Sequence, residues 1–418
     1  MSALIALIAS LAAQTAQSTT APAPPPAAPE PANARNLGQT NYVDLEGGVG
    51  YSTNPRLGFG SNTGSANGYV SIHAVHTRVT DRTTTLLSAF AQETAYTRHY
   101  GSNQSLSISA RHDAAVNEKL RLFVDASGGY DKNGLLDTRI ISVPNVPPLP
   151  GTPDLPPQIL PPGSDFLTVT GKHYFFAGDA GGQLALGARD NLNFSSGLQR
   201  SVFKGGLADT SYWSVPASIG YDRQLNPRAN IGCPLGFLYT DYSGPARIWT
   251  VTPQITGDFQ LSERMSLNGA LGASFSSIKD GFSTRHSAGL AANAALCDRG
   301  EFSRLCARAS IDQTTATIAG PAKSISAGVD YSRQLGPDSS IQFSVDGSHY
   351  SQPISIISGQ TFSSSTYYRA AAAYTRNFGH RLFGGVNLAA RKLTEKGPDP
   401  KADFNLSVFI RYRFGDVQ

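Results

Sequence analysis

Charge is what this chain has least of. Asp, Glu, Lys and Arg together make up 15% of its 418 residues, where a soluble domain carries roughly 25%. So few charges cannot cover a surface of the ordinary soluble kind. The net charge of +4 is spread thinly and no Lys/Arg block occurs, which argues against nucleic acid as a partner. Long apolar runs are missing too. No stretch approaches the ~20 consecutive apolar residues of a spanning helix, which excludes a helical membrane protein. There is no Cys-x-x-Cys pair, no histidine cluster and no Gly-x-Ser-x-Gly elbow. His73, His76, His112 and His286 have no acidic partner at strand spacing. Neither enzymatic activity nor a cofactor or metal is expected.

Ser, Thr, Asn, Gln and Gly stand where the charges would be. Glycine alone numbers 42, beside 20 Phe and 17 Tyr. The β-branched and aromatic residues away from the ends argue against disorder. A polar-looking, Gly-rich, aromatic-containing chain with little charge fits a β-barrel whose outside meets lipid and whose inside meets water.

The N-terminal segment has its own character. Ala3 to Ala13 reads ALIALIASLAA, too short to span a bilayer but of the length of a signal-peptide h-region. Ser10-Leu11-Ala12 and Ala16-Gln17-Ser18 both fit a small-x-small cleavage rule, although Met1-Ser2 carries no Lys or Arg. Ala21 to Pro31, APAPPPAAPEP, can form neither helix nor sheet. Residues 1–18 are expected to be a signal peptide, 19–36 a Pro/Ala-rich periplasmic tether, and 37–418 the barrel. A tether of that length leaves no room for a plug domain, so an energised siderophore transporter is not expected.

From Leu37 onward the signal is a period of two. In the last segment Phe404, Leu406, Val408, Ile410, Tyr412 and Phe414 share one face. Asn405, Ser407, Phe409, Arg411 and Arg413 share the other. Successive strand side chains point to opposite faces, so one side is apolar and the other mostly polar, whereas a helix would scatter both sets. Ile341, Phe343 and Val345 alternate likewise with Gln342, Ser344 and Asp346, and Leu120, Leu122 and Val124 with Arg121, Phe123 and Asp125. The pattern predicts 18 strands, near 42–52, 68–79, 84–97, 104–115, 119–130, 173–188, 191–203, 212–223, 228–241, 246–260, 264–277, 285–297, 303–314, 323–334, 339–350, 364–377, 381–392 and 403–414. Short polar turns such as Thr80-Asp81-Arg82 alternate with longer connections near 53–67, 131–170, 278–284, 315–322, 351–363 and 393–402. Short turns at one end and long loops at the other is the asymmetry of outer-membrane barrels. The expected fold is all-β: a transmembrane antiparallel up-and-down barrel, with both termini on the side of the short turns.

The opening strand Val43 to Pro55 and the closing strand Leu406 to Phe414, together with the leader, resemble those of Gram-negative outer-membrane β-barrel proteins. The likeness points in particular to the alphaproteobacterial porin group (barrel porin 2-like). It implies outer-membrane placement, contact with outer-membrane lipid and lipopolysaccharide, and insertion by the barrel-assembly machinery. The closing strand would then carry the assembly signal on Tyr412 and Phe414. In that family the terminal aromatic usually ends the chain; here Gly415-Asp416-Val417-Gln418 follow.

Four features call for a role. Cys297 and Cys306 flank a turn with lumen parity on neighbouring strands, which makes a disulfide plausible in an oxidising compartment. Cys233 has lipid parity and is expected to be a lone thiol. Pro144 to Pro162 holds nine prolines; it reads either as a stiff loop folded into the pore or as an exposed one. Lumen parity collects charges, among them Asp44, Glu46, Asp330, Asp346, Arg369, Arg391, Arg411 and Arg413. These either set a transverse field that selects solutes or pair locally as salt bridges. A barrel of this size leaves an aqueous channel, so passage of small hydrophilic solutes is the first expectation. Exopolysaccharide export, which lumen arginines would suit, and a structural or adhesin barrel with a plugged lumen are the alternatives. The oligomeric state is left open.

Overall fold

The computed structural model describes residues 38–55, 57, 63–98, 100–132, 171–205, 210–279, 283–316, 320–351, 364–395 and 402–416. The expected signal peptide, tether and Pro144–Pro162 loop lie outside these residues. The described chain is a closed antiparallel barrel of 18 strands with no helix. The strands are β1 (Gly38–Ser52), β2 (Ser65–Val79), β3 (Thr83–Tyr96), β4 (Ser102–Ala115), β5 (Leu120–Lys132), β6 (Lys172–Ala185), β7 (Asp190–Lys204), β8 (Thr210–Asn226) and β9 (Ala229–Tyr242). They continue as β10 (Arg247–Gln260), β11 (Met265–Lys279), β12 (Thr284–Arg299), β13 (Ser303–Ala316), β14 (Gly320–Gly336), β15 (Ser339–Tyr350), β16 (Ser365–Asn377), β17 (Leu382–Glu395) and β18 (Asp403–Gly415).

Each strand pairs with its neighbours in sequence, and β1 pairs with β18 from Tyr42↔Gly415 to Ser52↔Asn405. Closure leaves the sheet without an end strand, as a sheet surrounded by lipid requires, although β12 pairs with β13 only from Ala292↔Ile311 to Arg299↔Arg304. Turns of two to four residues join even strands to the following odd ones. The long connections, 53–64, 133–171, 351–364 and 396–402, lie at the opposite end with five shorter ones. Two connections are shorter than the sequence suggested, 280–283 and 317–319, because β11, β12, β13 and β14 run on. The sixth strand stops at Ala185 rather than 188, where Leu186 N–H donates to the Asp190 carbonyl at 2.8 Å and closes a turn.

The exterior carries the apolar parity. Ile255, Val49, Phe404 and Ile410 are each more than 60% exposed. A surface like that is stable only against hydrocarbon, since water contact at such density costs roughly 25 cal/mol per Å². Aromatic rings border it at both ends, as in membrane girdles. Tyr412–Phe414 and Tyr331–Phe343 stand toward the short turns, and Tyr130–Tyr174, Trp213–Tyr239 and Tyr239–Trp249 toward the long loops.

Pro216, Pro234 and Pro253 sit inside β8, β9 and β10, and pairing lapses beside them. The β7–β8 register breaks between Ser196 and Gln199, β9–β10 between Pro253 and Thr256, and β10–β11 between Val251 and Gln254. Proline has no N–H to give the ladder.

Candidate functional site

The lumen face falls into two walls of different electrostatic character. One runs from β13 through β18 to β1 and carries the arginines singled out in the sequence. The structure sets each of them against a carboxylate. Arg411 Nη2 lies 2.6 Å from Glu46 Oε2, and Arg413 Nε 2.7 Å from Asp44 Oδ1, both across the β1–β18 seam. Arg308 Nη2 donates to Asp330 Oδ1 at 2.8 Å, and Arg369 stands directly opposite Asp346. Arg391 Nε donates to Asp403 Oδ2 at 3.0 Å. The seam pairs are held by their surroundings. Tyr69 O–H donates to Glu46 Oε1 at 2.7 Å, and its ring lies over Gly48, where a Cβ would stand 2.3 Å from the ring. The Arg413 guanidinium lies over the Tyr42 ring at 4.0 Å and faces Phe383 at 5.4 Å, a cation–π arrangement on both sides.

The second wall, β4 through β10, is different. Its lumen parity holds Asp113, Asp125, Asp131, Asp179, Asp222 and Asp258 against only Arg111 and Arg121. Arg111 is engaged with Asp113 at 2.9 Å. Asp125 and Asp179 are direct cross-strand partners on β5 and β6. Asp179 leans over Gly197, whose hydrogen is the only substituent that fits: a Cβ would lie 2.0 Å from Asp179 Oδ1. Asn193 Nδ2 donates to Asp222 Oδ2. Sequence parity put Asp125, Asp179 and Asp258 in the lumen; their neighbours emerged only with the register. Asp125 also faces Arg111 across β4–β5, whereas Asp179, Asp222 and Asp258 have no arginine in register with them on either neighbouring strand.

At the long-loop end the chain turns inward. Leu57, just past β1, is packed with Tyr367 of β16 and Leu393 of β17, all essentially fully buried. Asp403 ties this segment down: Ser52 Oγ donates to its Oδ1 at 2.6 Å and Asn54 N–H at 2.8 Å, while Arg391 holds the other oxygen and reaches the Pro55 carbonyl. The start of the β1–β2 connection is therefore pinned on the lumen wall by a buried ion pair. The sequence points to Pro144–Pro162 as the loop to watch and carries no sign that residues 52–55 and 57 fold inward.

Cys297 and Cys306 face each other on β12 and β13, their Cα atoms 4.1 Å apart, and form a disulfide. Cys233 is free and exposed. Tyr412 and Phe414 lie on the outside of β18 with ring centroids 4.7 Å apart. Gly415 follows at φ +97°, and the Asp416 carboxylate accepts a hydrogen bond from Asn41 N–H at 2.6 Å. Among the described residues no group of three His, Cys, Asp or Glu side chains converges to hold a metal ion.

No family model and no curated protein matches the chain. Among solved structures it is similar to OccK2 (OpdF) of Pseudomonas aeruginosa, with TM-score 0.46 and 9% identity over 91% of this chain and 98% of that one. It is similar to OpdQ of the same organism at TM-score 0.45 and 8% identity, over 90% and 98%. The FrpB iron transporter of Neisseria meningitidis (F5-1 variant) matches at TM-score 0.46 and 9% identity, over 87% of this chain. The chain spans 64% of the FrpB length. At these identities the likeness is one of barrel architecture.

Proposed function

We propose that this protein is an outer-membrane channel through which small hydrophilic solutes diffuse passively, with a preference for cationic or neutral ones. The reading keeps the porin-like assignment that the terminal strands suggested and places the long loops outside the cell and the termini in the periplasm. What carries it is the imbalance between the two lumen walls. The arginine wall is neutralised pair by pair, while the wall from β4 to β10 holds six aspartates and two arginines. Fixed charges facing a narrow aqueous path with low-dielectric walls bias which ions enter. The arginines that favoured an exopolysaccharide exporter are each set against a carboxylate, which removes the feature an acidic polymer would use.

Planar-bilayer recording in a salt gradient tests this. The expected result is stepwise conductance with a reversal potential of cation-selective sign, shifted toward zero in D179N/D222N/D258N. R411A/R413A leaves Asp44 and Glu46 without their partners and shifts it the other way. A correctly folded barrel that inserts but never conducts supports the plugged structural barrel instead. Anion selectivity overturns the charge argument.

A further inference from the structure

We propose that the outer rim of β5–β7 binds the phosphate groups of a phosphorylated, multiply acylated glycolipid of the lipid A class in the outer leaflet. The proposal rests on the outer-membrane reading above and names one lipid site on it.

The observation is a row of lysines. Lys132, Lys172 and Lys204 are direct cross-strand partners on three adjacent strands. All three have lipid parity, because Asp131, His173 and Phe203 beside them are buried toward the lumen. Adjacent strands lie about 4.8 Å apart, so three ammonium stems rise side by side. Like charges directly opposite one another on a sheet repel. The carboxylate nearest in sequence does not relieve this. Asp131 points to the other face, where it accepts a hydrogen bond from Ser105 at 2.6 Å. Among the described residues, none of the three lysines forms an ion pair.

The ground beneath the row suits a lipid. Two residues down the strands are Tyr130 and Tyr174, ring centroids 5.0 Å apart, at the level of the membrane interface. Two residues further lies Arg200, paired in register with Phe176 on the exterior. A guanidinium on the lipid face is unfavourable unless it snorkels to an anion above it. Below Arg200 the exterior is shallow. Ala126, Gly178 and Ala180 lie between the projecting side chains of Val124 and Leu198. Added at Gly178, a Cβ would meet nothing nearer than 3.7 Å. Three lysines and an arginine over an aromatic shelf and a trough of small residues match a phosphate-bearing head above acyl chains. Lysine is a point-charge phosphate binder and arginine a forked one.

The test uses the whole refolded barrel in detergent and follows its heat-unfolding midpoint by electrophoretic mobility. Bisphosphorylated lipid A is titrated beside the same lipid stripped of phosphate and beside inorganic phosphate. The expected result is a midpoint raised by several degrees with the bisphosphorylated lipid only. Half-saturation should move at least tenfold higher in K132Q/K172Q/K204Q and stay at the wild-type value in K279Q/K323Q, which neutralises two other exterior lysines at the same rim. Equal half-saturation in wild type and the triple variant overturns the site. So does an equal effect of the dephosphorylated lipid or of inorganic phosphate. The wild-type titrations alone decide if the triple variant refolds poorly. A barrel that inserts and conducts in phosphatidylcholine bilayers yet fails these titrations overturns the site alone; one that does not insert overturns the membrane reading with it.

Discussion

The ion pair at the long-loop end offers a sharp test of how this barrel holds its first connection. Asp403 is wholly buried and Arg391 is 5% exposed. Asp403→Asn keeps the shape and can still accept from Ser52 and Asn54, but it leaves the Arg391 guanidinium buried without a counter-charge. Breaking a buried pair from one side costs about 3–5 kcal/mol, or roughly two to three and a half powers of ten in the folding equilibrium at about 1.4 kcal/mol each. An exposed pair would cost only about 0–1 kcal/mol. The assay is urea unfolding of the barrel in lipid vesicles, followed by the fluorescence of Trp213 and Trp249. A second variant, R391M/D403L, removes both charges. Because it strands neither, it should lose clearly less than the sum of R391M and D403L measured singly. The same variants report on the inward segment: once the anchor goes, Leu57 should leave Tyr367 and Leu393, and single-channel current should become noisier. Asp403→Asn within about 1 kcal/mol of wild type, or a double variant that costs the full sum, would refute the reasoning.

Other outcomes follow from the same geometry. Cys297→Ser/Cys306→Ser should lower unfolding stability by about 2.5–3 kcal/mol through the entropy of the closed ten-residue loop; an unchanged urea midpoint would mean that the turn is already fixed without it. Phe414→Ala should reduce the amount of heat-modifiable barrel in outer membranes severalfold while the purified chain refolds normally in detergent. Equal losses in both settings would assign Phe414 to stability rather than to assembly.

Much of the fold was legible because strand parity is a local property. Each strand declares its lipid face by alternation, and polar turns mark where it ends. That is why β15, read as 339–350, matches residue for residue, and why the first and last strands were expected to meet. The errors fell where local cues conflict. Extra residues past a strand's apolar core, as in β14, pair or do not pair according to the neighbour's length, not their own identity. The inward course of residues 52–55 and Leu57 was illegible because their partners Tyr367, Leu393 and Asp403 lie more than 300 positions away and are brought together only by closure.

By itself the sequence determined that this chain is a barrel, which face of each strand is wet, and which residues are charged in the lumen. The tertiary structure decided how those charges are spent. Arg411 and Arg413 meet Glu46 and Asp44 because β1 and β18 close in one particular register. Asp179, Asp222 and Asp258 lack such partners because no arginine stands opposite them on the neighbouring strands. Lys132, Lys172 and Lys204 fall in one row only because β5, β6 and β7 align across connections of very different length. Parity is fixed by one strand's covalent geometry, whereas pairing depends on the stagger of all eighteen around a closed sheet, and that stagger converts a list of charges into a field.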